Sequence, residues 1–229
     1  MNKKLTRREI MALFGAAGSA VALGCADSPT NPTSTSSSTT TGTSGAACAV
    51  APTETIGPYP SLTDLFRSDV REDRRGTVLT LTMKVVNANA NCAPVASANV
   101  EIWHADAAGD YSEYGTQRAA TFLRGIQATN AEGDVTFTTI YPGWYQGRAT
   151  HIHVEVTVNG RSVKATQIAF PESINNLVHT QGVYANRGTN PMSNAADGIF
   201  ADSLSAELVT PSGSPSSGYT ASFQIGVSV

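Results

Sequence analysis

His151-Ile152-His153-Val154-Glu155-Val156-Thr157-Val158 is the stretch from which the rest of the chain can be read. Side chains alternate across a β-strand, so His151, His153, Glu155 and Thr157 form one row and Ile152, Val154, Val156 and Val158 the other. A row of β-branched residues suits a strand buried on one face. The two imidazoles then stand side by side on the face away from the apolar row, at a spacing that lets both reach one metal ion. A polar strand face with two ordinary histidines is the alternative.

The same period of two recurs outward from this strand. Leu79, Leu81, Met83 and Val85 alternate with Thr80, Thr82 and Lys84; Val100, Ile102 and His104 alternate with Glu101 and Trp103. Near the C-terminus, Ala221, Phe223, Ile225 and Val227 alternate with Ser222, Gln224 and Ser228. Helical periodicity is weak, apart from a short turn after Pro171. No solenoid or propeller period is present. The fold class is therefore all-β, a single-domain antiparallel β-sandwich. His104 reads as a satisfied, partly buried ring, and His179, in a polar segment, is given no role.

The 229 residues suffice for one domain with a real core, and only 14% are charged, which fits a β-rich globular protein. Lys3, Lys4, Arg7 and Arg8 precede an apolar stretch from Ile10 to Gly24, an export signal too short and too weakly apolar for a membrane span. Thr6-Arg7-Arg8-Glu9-Ile10-Met11 matches a twin-arginine signal, the route for proteins exported already folded. Ala22-Leu23-Gly24-Cys25 resembles a lipoprotein box, with Cys25 as the lipidated residue; ordinary cleavage nearby is the alternative. Residues 1–25 are thus read as signal peptide, 26–47 as a Ser/Thr-rich tether and 48–229 as the folded domain. The membrane is met only through such an anchor.

Cys48 and Cys92 remain, and outside the cytosol a lone pair of cysteines is expected to form a disulfide, with two buried free thiols as the alternative. The formal net charge is −3, and removing residues 1–24 takes away four positive charges and one negative, leaving the domain more acidic. That sign and the lack of a basic stripe argue against nucleic acid as a partner. No phosphate-cradling Gly-rich loop, zinc-ribbon Cys pair or Gly-x-Ser-x-Gly elbow occurs.

Three stretches, Thr55-Ile-Gly-Pro-Tyr59, Val100-Glu-Ile-Trp-His-Ala-Asp-Ala-Ala-Gly-Asp-Tyr-Ser112 and Tyr141-Pro-Gly-Trp-Tyr-Gln-Gly-Arg-Ala-Thr-His-Ile-His153, resemble the intradiol ring-cleavage dioxygenases. The resemblance runs over residues 50 to 200. It implies a non-haem Fe(III) ion held by Tyr111, Tyr145, His151 and His153. It also implies that Arg148 stabilises negative charge building on the ring, and that Gln167 orients substrate or oxygen by hydrogen bonding. The implied reaction breaks the bond between the two hydroxylated carbons of a catechol-type ring with O2, giving a muconate-type diacid.

The donor set is chemically coherent. Phenolate is a hard anionic donor, and only a strong cation deprotonates a tyrosine whose free pKa is about 10. Two phenolates and a hydroxide neutralise a trivalent ion, which suits a site of low dielectric. A cupin-like site using His151, His153 and Glu155 has its acid at the wrong spacing. The stretch Thr129–Tyr145 also resembles non-catalytic transthyretin-like binding modules, which leaves a cell-surface binding module as the alternative function. The helical N-terminal region that builds the dimer of soluble catechol dioxygenases has no counterpart here, so a monomer or small homo-oligomer is expected. An extracytoplasmic place suggests aromatic compounds met outside the cell, such as plant-derived phenols.

Overall fold

The apolar rows read from the sequence face one another across a single core. Ile152, Val154 and Val156 pack with Leu79, Leu81, Met83 and Val85, and with Tyr219, Ala221, Phe223 and Ile225. Each such aliphatic side chain, fully buried, contributes roughly 1.5–3 kcal/mol. The computed structural model describes residues 48–229. The export signal, the tether and Cys25 lie outside the described residues.

Along the chain run β1 (Val78–Asn87), β2 (Ala93–Pro94), β3 (Asn99–Trp103), β4 (Arg124–Ala128), β5 (Asp134–Ile140), β6 (His151–Val158) and β7 (Arg161–Ala169). Helix α1 (Glu172–His179), the one-turn helix α2 (Leu204–Glu207), β8 (Ser212–Ser214) and β9 (Gly218–Val227) follow. One sheet has the order β4-β3-β6-β7, with every pair antiparallel. In the other, β1 pairs with β2, β5 and β9, and β8 flanks β9. Helix α1 supplies the turn expected after Pro171.

The all-β sandwich is as expected, but one sheet is mixed. β1 and β9 run parallel, from Leu79↔Tyr219 to Asn87↔Val227. Alternation of apolar and polar residues is the same in parallel and antiparallel strands, so the pattern could not reveal direction. The long excursion through α1 and α2 brings the chain back to the end from which β1 also starts.

Before β1, residues 48–77 form a strap with no strand longer than isolated bridges. Ala51 N–H donates to Gly226 O (2.8 Å) in one sheet, and Glu54 N–H to Ala165 O (2.9 Å) at the edge of the other. The strap then crosses the outer face of the β4-β3-β6-β7 sheet, where Arg67 N–H donates to Ile126 O (3.1 Å). Its start is tied to the β1–β2 turn by Cys48–Cys92, whose Cα atoms are 5.4 Å apart.

Candidate metal centre

Strand register decides which side chains share the outer face of this sheet. Arg124 lies opposite Trp103, Trp103 opposite His153, and His153 opposite Gln167. Directly opposed residues point to the same side, so these four form one row across four strands. His151, two residues along β6, stands beside His153. Although this face points away from the core, the strap and loops cover it: His151 and His153 are both buried.

The imidazoles converge. His151 Nε2 lies 3.1 Å from His153 Nε2 and 3.4 Å from the Tyr111 hydroxyl. Nδ1 of His151 is 2.6 Å from the Ala149 carbonyl oxygen, so it carries the proton and leaves the Nε2 lone pair facing its neighbours. His153 stacks on Trp103 with ring centroids 4.9 Å apart and planes 2° off parallel. Gly57 lies against the same ring, where an added Cβ would come within 2.9 Å of His153 Cε1. Burial drives the His151 imidazole down to about 3 and, with His151 as neighbour, holds His153 well below the usual histidine range. Both rings are therefore neutral near pH 7, the form that ligates metals.

The two tyrosines come from loops. Tyr111, buried, follows the turn after β3, and Tyr145, half-buried, lies between β5 and β6. Their ring centroids are 5.7 Å apart, and Tyr145 is also 5.7 Å from the His151 ring. Burial raises the pKa of both phenols, that of Tyr111 well above the ordinary value, and Arg148 partly offsets the rise at Tyr145. Ionising either phenol thus needs a cation at the oxygen. Donor atoms on ligand bonds of about 2.1 Å at angles of 90–110° stand roughly 3.0–3.4 Å apart, and His151 Nε2 stands at that spacing from both His153 Nε2 and the Tyr111 hydroxyl, so these side chains fit a shared cation. Among the described residues no group of three His, Cys, Asp or Glu side chains is placed to hold a metal ion. Glu155 does not join the histidines; it pairs instead opposite Glu101.

Arg148 and Gln167 stand beside the donors and are bound to each other. Arg148 Nη2 donates to Gln167 Oε1 (2.6 Å), and Gln167 Nε2 donates to the Thr55 carbonyl of the strap (3.0 Å). Both ends of the Gln167 amide are thus engaged by protein partners. Arg148 Nε donates to Asp197 Oδ2 (2.8 Å), which also accepts from Ala149 N–H (2.7 Å).

Sequence reasoning assigned no role to Asp197, Trp103, Tyr59 or Arg124. Tyr59 stacks on Tyr111 (4.7 Å between centroids, 25° between planes), and its Gly-Pro-Tyr setting was a usable signal. Asp197 arrives from a loop 49 residues beyond Arg148, with no local pattern to mark it. Two histidines lie outside the centre. His104 is fully buried, held by Ala105 O (2.9 Å) and the Thr139 hydroxyl (2.7 Å). His179 Nε2 is 3.1 Å from the Pro142 carbonyl oxygen.

A family model described as dioxygenase matches residues 56–190. The chain is 32% identical to an intradiol ring-cleavage dioxygenase from Tetranychus urticae, covering 79% of this chain and 95% of that one, with a TM-score of 0.71. It is 29% identical to the dioxygenase domain of a dioxygenase carbohydrate-binding protein fusion from Streptomyces sp. SirexAA-E, over 79% of this chain and 99% of that one, with a TM-score of 0.61. Catechol 1,2-dioxygenase 2 of Acinetobacter lwoffii is 34% identical over 93 residues, 33% of this chain; the match spans only 34% of that curated relative's length. The chain belongs to the intradiol ring-cleavage dioxygenase family. The Thr129–Tyr145 stretch lies inside the matched span, so it is part of a dioxygenase domain and gives no support to the transthyretin-like module.

Proposed function

We propose that this chain is a non-haem Fe(III) enzyme that cleaves catechol-type rings between the two hydroxylated carbons with O2, yielding muconate-type diacids. The observation that carries the reading is the convergence of two neutral imidazole nitrogens, 3.1 Å apart, with a phenol oxygen 3.4 Å from one of them and a second tyrosine alongside. Tyr111, Tyr145, His151 and His153 are the proposed ligands. The ion, when bound, supplies the Lewis acidity that ionises the phenols and the diol.

The remaining chemistry belongs to the chain. Tyr145 is the more exposed tyrosine, and burial favours its protonated form, so its oxygen is suited to accept a proton from an incoming diol. The Arg148 guanidinium, fixed by Asp197 and Gln167, presents a preorganised positive charge to anionic character developing on the ring. The Thr55–Tyr59 part of the strap closes over His153 and excludes water.

The reading extends to location. Residues 1–25 act as a twin-arginine signal ending in the lipidated Cys25, residues 26–47 are the tether, and the domain works outside the cytoplasmic membrane as a monomer or small homo-oligomer. Appearance of the protein only in the cytosolic fraction would sink that part. The site is tested by the visible spectrum of the purified protein, before and after catechol under argon. A burgundy band that moves to longer wavelength is expected; a protein colourless even after Fe(III) reconstitution refutes the metal assignment. Tyr145→Phe and His153→Ala should each lose iron or turnover while the sandwich stays folded.

A further inference from the structure

Behind Tyr111 lies a buried ion pair that the ligand set does not use. Arg124 is 1% exposed and Glu113 8%, with Arg124 Nε 3.3 Å from Glu113 Oε2. Nearly every donor of Arg124 goes to one of two segments. Nε and Nη2 donate to the Ser112 hydroxyl (2.9 Å) and carbonyl (2.7 Å), next to Tyr111. Nη1 donates to the Tyr59 carbonyl (3.0 Å) and the Ser61 hydroxyl (3.2 Å) on the strap. Glu113 reaches the same strap from the other side, its Oε2 accepting from Leu62 N–H (2.7 Å).

This arrangement is maintained at a cost. Glu113 has φ +65°, and Leu123, just before Arg124, has φ +57°, both left-handed conformations unfavourable for such side chains. Glu113 Oε1 is buried with no hydrogen-bond partner. A buried ion pair is moreover no better for stability than well-packed apolar residues of the same volume. Fold stability therefore does not explain the pair, whereas its contacts all meet at the joint between Tyr59 and Tyr111.

We propose that Arg124 and Glu113 are positioning residues: the pair locks the Tyr59–Leu62 backbone onto the Tyr111–Ser112 turn and so fixes the aromatic wall beside the ring-binding site. The inference rests on the ring-cleavage reading for its effect on catalysis, but the clamp itself is a property of the chain. Neither residue touches substrate; both act through Tyr59 and Tyr111.

The test is the double variant Arg124→Met/Glu113→Gln, which removes both charges together and so avoids stranding either one in the interior. It should fold and keep the visible band of the wild type. Its KM for catechol should rise about tenfold with kcat little changed, the signature of lost positioning in both ground and transition states. The Tyr59–Leu62 amides should exchange hydrogen at least about tenfold faster than in the wild type. Wild-type KM and wild-type protection in that variant would overturn the proposal. Should the double variant not fold, Arg124→Lys, which keeps the charge and loses the planar fork, is read by the same two measurements. In the wild type itself, the Leu62 amide must be protected although it lies outside regular structure; exchange at the rate of an unprotected amide also overturns the clamp. A wild-type protein without iron colour or turnover would instead refute the ring-cleavage reading, while the exchange data would still decide the clamp.

Discussion

Asp197→Ala should damage both stability and turnover, because this carboxylate, together with Gln167, fixes the orientation of Arg148. Its side chain is 2% exposed and accepts from Arg148 Nε (2.8 Å), Ala149 N–H (2.7 Å) and Ile199 N–H (2.9 Å). Removing one partner of a buried ion pair costs about 3–5 kcal/mol. The Arg148 side chain is 13% exposed and keeps Gln167 as a partner, which places the loss near the lower end, about 3 kcal/mol. In a domain of this size each kcal/mol moves the melting temperature by about 2–4 °C, so a fall of roughly 6–12 °C follows. Catalysis suffers separately. Losing an electrostatic donor outright costs about 10²–10³ in kcat, and a guanidinium left in place but held by Gln167 alone should lose about 10–100-fold.

The assays are thermal unfolding followed by circular dichroism and O2 uptake with catechol. Burial opposes ionisation of Asp197, but the donors from Ala149, Ile199 and Arg148 outweigh it and hold its pKa below the ordinary carboxylate value. The pair's contribution is therefore complete above about pH 4 and is lost as pH falls through the folded-state value. The gap between wild type and variant should narrow in acid. A variant that melts within about 2 °C of the wild type at neutral pH and turns over at an undiminished rate would refute the reasoning.

Three further perturbations test other parts of the structure. Gly57→Ala forces a left-handed residue (φ +71°) to place its Cβ 2.9 Å from His153 Cε1, so metal affinity, read by chelator competition, should fall about 10–100-fold. His104 is held neutral by burial, its pKa depressed to about 4, so the unfolded chain binds the extra proton between that value and about 6.5. Stability should thus be full above that window and fall by up to about 1.4 kcal/mol per pH unit as pH drops through it, and His104→Asn should flatten this slope in urea titrations. Cys48 and Cys92 close a loop of sequence separation 44, and chain-entropy reasoning gives the crosslink about 4 kcal/mol. Cys48→Ser/Cys92→Ser should melt well below the wild type, and a reducing agent should lower the wild type's melting temperature but not the variant's.

The local pattern of the sequence determined a good deal. Period-two alternation in β1, β6 and β9 marked which side chains enter the core, because the pleat of a strand alone fixes that choice. The His-x-His spacing on β6 set both imidazoles on one face for the same reason, and the motifs around Tyr111 and Tyr145 pointed to the family. Strand direction was not legible: β1 and β9 pair in parallel, and alternation carries no sign of direction. Nor were Asp197, Trp103 and the Arg124–Glu113 pair. Trp103 and Gln167 flank His153, with Arg124 next in the row beside Trp103, only because three interstrand registers align them, and Asp197 reaches Arg148 only when the loop before α2 folds back. Contacts of that kind arise from pairing and closure between segments distant along the chain, so tertiary structure alone could decide them.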